Sequence, residues 1–218
     1  MQEQTADTAL VSAFRWVPPI AHGYVKDLRV RWAHEEAGLP YQAVLIDRQA
    51  QTSPDYRQWQ PFGQVPAYRE GELELFESGA IVLHVARKSQ ALSPADEAGH
   101  ARTTAWVIAA LNSIEPFAVA YVHFTASRAQ IEPILNRQLS ALSDWLGGKD
   151  YLEGGFTAGD LVMTTVLRDL VDSGVLARYP ILDAYRRRCE GRPAFGRALE
   201  AQLKVFRDNA PAPQAAND

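Results

Sequence analysis

Apolar and polar positions follow two different rhythms along this chain. Up to about Lys88 the pattern alternates between strand and helix periods. Leu10–Trp16 and Tyr41–Ile46 read as strands. Between them a helix runs from about Val25 to Ala37, with Leu28, Trp32 and Ala33 toward a core and Lys26, Arg29, His34 and Glu35 outside; Gly38 closes it as a left-handed cap. Ser53–Gln60 reads as a short helix or turn, Ser53 at its N-cap and Pro54 at its first position. Ala67–Arg69 and Leu73–Phe76 form a hairpin about Glu70-Gly71, apolar residues alternating with Glu72 and Glu74. Glu77-Ser78 then opens a helix in which Ile81, Val82, Leu83, Val85 and Ala86 make a wide buried stripe.

Beyond a linker at Ser89–Ser93 only helical periods remain. A long helix from Pro94 to about Tyr121 carries Trp106, Ala109, Ala110, Ser113 and Phe117 at helical spacing, and Pro116 should kink it. Arg128–Leu146 places Ile131, Leu135, Leu139 and Leu142 on one face and stops at Gly147-Gly148. Thr157 and Asp160 have the spacing of a capping box, ahead of a helix that is apolar or small nearly all round and so belongs in the middle of the bundle. Tyr179–Arg188 and a helix after Pro193 complete the pattern. The expected organisation is a domain over 1–88, a linker over 89–93 and a helical domain over 94–208, with loose ends at 1–9 and in the Pro/Ala-rich 209–218.

Composition narrows the partners. Apolar residues are 47% of the chain, enough for real cores, and a net charge of -4 points away from nucleic acid and anionic membranes. The one cysteine, Cys189, excludes an internal disulfide and a CxxC redox pair; flanked by arginines and Glu190, it reads as a packed structural thiol, and Arg186-Arg187-Arg188 as a solvated run. No apolar run reads as a bilayer span, and the first residues lack the basic start and apolar core of a signal peptide, so a cytoplasmic location is expected.

The chemistry concentrates in Pro61–Lys88. Pro66 stands at a strand entrance, where a cis Val65-Pro66 bond would turn the N–H and C=O of Val65 outward to pair with an extended peptide. Ser78 lies at a helix N-terminus, whose free N–H groups and dipole attract a carboxylate, and the Glu77 carboxylate beside it could bind an ammonium group. A backbone clamp next to an amino-acid clamp suits a small peptide with a free α-amino acid end, such as glutathione with its γ-glutamyl end.

The same stretch, QPFGQVPAY followed by a hairpin and ESGAI, resembles the NPxGQVPxL…ESxAI pattern of the glutathione S-transferase family. LRVRWAHEEAGLPY, WVIAALNSIEP and the segment from Tyr185 through GRPAFGRALE resemble other family segments, so the likeness runs from about Leu10 to Phe206. It implies an α/β thioredoxin-like N-terminal domain, an all-α helical-bundle C-terminal domain, a homodimer, glutathione as co-substrate and no metal. By the same likeness Gln64 reaches the glycine carboxylate, while Val65, Pro66, Glu77 and Ser78 hold the rest of the peptide. Arg48 and Arg57 read as surface cations.

A free thiol has a pKa of about 8.5 and attacks only as the thiolate. The family lowers that value with a helix N-terminus and a Ser, Tyr or Cys near the start of the first helix. Between Val17 and Arg31 there is no Ser, Thr or Cys, and the only hydroxyl is Tyr24. Tyr24, or backbone amides at the helix start, would stabilise the thiolate; His22 and Lys26 are weaker candidates. A hydrophobic electrophile would lie against the first helix of the second domain, where Trp106 and Ser113 either line the cleft or belong to the core. The resemblance implies a glutathione transferase of the detoxification type. The alternatives are a non-catalytic glutathione- or ligand-binding protein and a glutathione-dependent peroxidase or disulfide reductase.

Overall fold

A computed structural model describes residues 8–211. The first part carries β1 (Ala9–Phe14), α1 (Asp27–Ala37), β2 (Tyr41–Ile46), α2 (Arg48–Thr52), α3 (Pro54–Trp59), β3 (Ala67–Glu70), β4 (Leu73–Phe76) and α4 (Ser78–Ala86). The sheet order is β2-β1-β3-β4, with β1 parallel to β2 and the remaining pairs antiparallel. Two parallel neighbours need a crossover, which α1 supplies; two antiparallel ones need only the tight turn at Gly71. This is the expected thioredoxin-like layout. Asp47 caps α2, a helix the periodicity did not reveal because its five residues span little more than one turn. Expectations for the chain ends fall mostly outside the described residues, but Ala9 already belongs to β1 and is buried.

The second part is helical: α5 (Glu97–Ala109), a π turn over Ala110–Ile114, α6 (Glu115–His123), α7 (Arg128–Leu146), α8 (Ala158–Arg168), α9 (Pro180–Glu190) and α10 (Pro193–Asp208). The capping box at Thr157 and Asp160 forms, and every residue from Ala158 to Leu167 is buried. Asp160 accepts hydrogen bonds from the Leu152 and Thr157 amides and from the Thr157 and Tyr185 hydroxyls, so the box also ties α8 to the preceding turn and to α9.

The disturbance expected from Pro116 takes the form of the π turn just before it. Proline offers no N–H to the carbonyl four residues back and its ring crowds that carbonyl, so the ladder resets by a widened turn. Three expectations need correction. The continuous run Glu97–His123, 27 residues, is long and apolar enough by length and composition to cross a bilayer, although no such run was expected; in the fold it packs on α7 and α8. Arg186 is buried between Asp183 and Glu190 rather than solvated. Arg29 and His34 are buried, 2% and 1% exposed, because α1 is covered on one side by α4 and the sheet and on the other by α8 and α10. A helix held between two layers has no solvent face, and periodicity shows only its apolar stripe.

Candidate active site

The loop between α3 and β3 is fixed by a chain of hydrogen bonds. The Ala67 amide donates to Ser12 Oγ at 2.6 Å, and the Tyr56 hydroxyl donates to the Gln64 carbonyl at 2.6 Å. Ser12 Oγ and Tyr56 Oη are 2.7 Å apart, so the serine hydroxyl donates to the tyrosine and closes the chain. Both ends of Gln64–Ala67 are thereby tied to buried groups of β1 and α3. Within it the Val65-Pro66 peptide is cis. Among the described residues neither the N–H nor the C=O of Val65 has a hydrogen-bond partner.

Across from this loop, β4 gives way to α4 at Glu77. Its φ of 69° makes it the only non-glycine residue with positive φ among the described residues, a conformation that costs energy and collects at functional sites. The bend exposes the Glu77 carboxylate and turns Ser78, 8% exposed, into the first position of α4. Gly79 follows with a steric consequence: a Cβ there would stand 2.4 Å from Leu111 Cδ1 and 3.3 Å from Val107 Cγ1, so glycine lets α4 approach the π turn without moving Leu111.

Gln64, Val65, Pro66, Glu77 and Ser78 line one polar cleft of about 370 Å³, closed by Lys26, Arg29, Gln60, Leu111, Asn112 and Glu115. The five glutathione-clamp residues expected from sequence are therefore together. Of the charged partners that complete the cleft, the sequence singles out only Lys26; Arg29 and Glu115 carry no local signal, since α1 and α6 meet only in the folded chain. Arg29 donates to Ser78 Oγ at 3.1 Å, to Thr165 Oγ1 at 2.7 Å and to Glu115 Oε1 at 2.6 Å. Lys26 Nζ lies 2.9 Å from Glu115 and 2.8 Å from Asp169. Burial opposes ionisation of Glu115, but the Arg29 and Lys26 charges outweigh it and hold the carboxyl below its usual range. Ser78 already accepts from Arg29, so its own hydroxyl proton is left to point at an acceptor in the cleft.

A second, larger cleft of about 780 Å³ adjoins the first. Its walls are Ile20, Ala21, Tyr24, Val25, Val119 and Val122, with His123, Arg128, Asp169, Asp172 and Ser173 at its polar margin. Lys26 lines both clefts. Tyr24 belongs to this apolar cleft and not to the lining of the polar one. Burial and then the Asp172 charge raise its phenol pKa, which favours the protonated form. His22 is engaged elsewhere: its Nε2 lies 3.0 Å from the Val17 carbonyl and its ring stacks on Phe206.

The residues expected to flank an electrophile lie apart from both clefts. Trp106 packs on Trp145 and donates to Glu153 at 2.8 Å, while a Cβ on Gly159 would meet it at 2.6 Å: it is a wedge between α5 and α8. Ser113 is exposed in the π turn. That turn adds a residue to the helix and rotates the faces after it, so the wall is built by Val119 and Val122 one stretch further on. Cys189 is buried as expected, which pushes its thiol up to about 12.

Residues 22–87 match the family model described as glutathione S-transferase, N-terminal domain. The disulfide-bond oxidoreductase YfcG of Escherichia coli (strain K12) is 30% identical over 194 residues, covering 78% of this chain and 88% of that protein. A glutathione S-transferase of Hyoscyamus muticus is 28% identical over 200 residues, 79% of this chain and 92% of the relative. Among solved structures, a glutathione transferase from Burkholderia graminis with two glutathione molecules bound per subunit superposes with a TM-score of 0.77 at 23% identity, over 89% of this chain and 88% of that one. Ure2p in complex with glutathione gives 0.76 at 20% identity, over 91% and 95%. At these identities the two solved structures bear on the fold alone.

Proposed function

The chain belongs to the glutathione S-transferase family, and we propose on that premise that its polar cleft binds glutathione and activates the thiol for attack on a hydrophobic electrophile. The γ-glutamyl carboxylate sits at Ser78 and the α4 N-terminus, with its ammonium group on Glu77. The cysteinyl backbone pairs with the free N–H and C=O of Val65, and Gln64 reaches the glycine carboxylate. The thiol then points along Lys26 toward the apolar cleft, where Tyr24 or amides at the start of α1 stabilise the thiolate and Ile20, Val119 and Val122 receive the electrophile. The observation that carries this is the facing pair in one cleft: the Val65 backbone, without a partner among the described residues, just before a cis proline, and Ser78 turned inward by the positive φ of Glu77.

The test couples calorimetric titration of glutathione with the ultraviolet thiolate band of the complex against pH. Binding with a thiol that ionises well below the free value supports the proposal. Binding with an unshifted thiol favours a non-catalytic binding protein, and no binding removes the clamp assignment.

A second reading, a glutathione-dependent disulfide reductase, is favoured by the Escherichia coli relative, which is a disulfide-bond oxidoreductase by name. It fits a chain whose only cysteine is buried, because glutathione itself can supply the thiols. Turnover of hydroxyethyl disulfide exceeding that of chlorodinitrobenzene would select it. We propose in addition that the protein is a cytoplasmic homodimer. Phe62 and Phe76, 65% and 39% exposed on the sheet side, give two copies an apolar contact, and light scattering of the purified chain tests it.

A further inference from the structure

Arg168 is the last residue of α8 and reaches from the helical domain to the loop that carries Tyr24. Its guanidinium carbon lies 5.4 Å from the centroid of the Tyr24 ring and 4.9 Å from that of Phe195. Glu190 of α9 holds Nη1 at 3.2 Å, and the side chain is only 12% exposed. The loop is shaped to receive it. Gly23 has a φ of +81°, and a Cβ there would stand 3.3 Å from Arg168 Nη2 and 3.1 Å from Leu199 Cδ1. Glycine at this position thus answers both the backbone bend and the close approach of the cation.

A guanidinium over an aromatic face is attracted by the ring quadrupole and fixes the plane of the ring. The face of Tyr24 is taken by this contact, while its hydroxyl has no hydrogen-bond partner among the described residues and Tyr24 lines the apolar cleft. We propose that Arg168 is a positioning residue for Tyr24: it clamps the phenol ring to the end of α8 so that the hydroxyl is presented to the thiol of bound glutathione, and it sets how strongly that hydroxyl donates. The inference rests on Tyr24 being the thiol's donor. Around the phenol stand Arg168 at the end of α8, Asp169 and Asp172 just beyond it, and Glu190 of α9. Lys26, two residues on, is paired with Glu115 and Asp169. Of the groups that act on the phenol, Arg168 alone favours its ionised form; burial and the three carboxylates oppose it.

Two readouts separate the clamp from the donor role. The first is the titration of Tyr24 itself, followed by NMR of protein labelled at the tyrosine ring carbon, with the resonance assigned by its loss in Tyr24→Phe. Arg168→Met should move this titration further up, with Arg168→Lys between it and the parent, and Gly23→Ala should shift the Tyr24 resonance without removing the cation. The second is the thiolate titration of bound glutathione. Arg168→Met should raise the thiol toward its free value and lower kcat with chlorodinitrobenzene by about 3- to 30-fold, leave the dissociation constant of glutathione within about twofold, and have no added effect in a Tyr24→Phe background. A Tyr24 titration unmoved by Arg168→Met overturns the clamp, as does an equal loss in the Tyr24→Phe background. A thiol unaffected by Tyr24→Phe, with the Tyr24 titration still sensitive to Arg168, removes the donor role while leaving the clamp. If Arg168→Met does not fold, Arg168→Lys and Gly23→Ala decide by the same NMR titration.

Discussion

Replacing Ser78 with alanine removes one oxygen at the point where a ligand carboxylate should meet the protein. In the free protein Ser78 Oγ is one of three acceptors serving Arg29, and Glu115 and Thr165 remain. The fold should therefore lose only about 1 kcal/mol, the usual worth of a single hydrogen bond. Binding should lose more. Among the described residues the Ser78 hydroxyl donates to no acceptor, and a donor to a carboxylate is worth about 1.5–3 kcal/mol, or about 10- to 150-fold in dissociation constant. Calorimetric titration of glutathione into Ser78→Ala and the parent measures the second effect, and urea denaturation of the same samples measures the first. Glu77→Gln is a useful comparison: its carboxylate is exposed, so loss of the ammonium contact should weaken binding only by a few fold, on the order of 1 kcal/mol or less. A glutathione affinity in Ser78→Ala within twofold of the parent, with urea stability nearly unchanged, would refute the placement of the carboxylate at α4.

Three further outcomes follow from packing and charge. Asp160→Ala strips four donors of one buried acceptor and uncaps α8, so urea denaturation should show a loss of at least about 3 kcal/mol. For Glu70, partial burial opposes ionisation, but the hydrogen bonds from His84 and Lys88 prevail and bring its carboxyl down from 4.5 to about 2. A depressed folded-state value gives stability that is present above pH 4.5 and lost as pH falls through about 2. Glu70→Gln should flatten the acid limb of stability in that window, and an unchanged slope would show that the cluster contributes nothing. Cys189, buried and with its thiol raised to about 12, should be silent to a disulfide-exchange reagent at neutral pH in the folded protein and react at once in denaturant.

Much of the architecture was legible because it depends on short-range rules. β2 and β4 end where alternation ends, α7 spans Arg128–Leu146 as its apolar face implies, and the Thr157–Asp160 box starts α8 as its spacing requires. The misplaced cleft wall has a local cause. Trp106 and Ser113 sit at helical spacing on α5 and its π turn, but spacing fixes a face only while the helix keeps 3.6 residues per turn, and the π turn breaks that count before α6 reaches the cleft.

The sequence by itself determined the local pieces: the turn at Val65-Pro66, the start of α4 at Ser78, the capping box, and the absence of any hydroxyl but Tyr24 near the start of α1. These follow from backbone preferences and neighbouring side chains, which act over a few residues. Only the tertiary structure decided what those pieces face. Arg29 became a buried cation because α8 and α6 bring Thr165 and Glu115 to it, and Lys26 came to border both clefts for the same reason. Arg168 found Tyr24 across 144 positions of sequence, a contact that carries no local signal, because it depends on how the second part of the chain packs against the first.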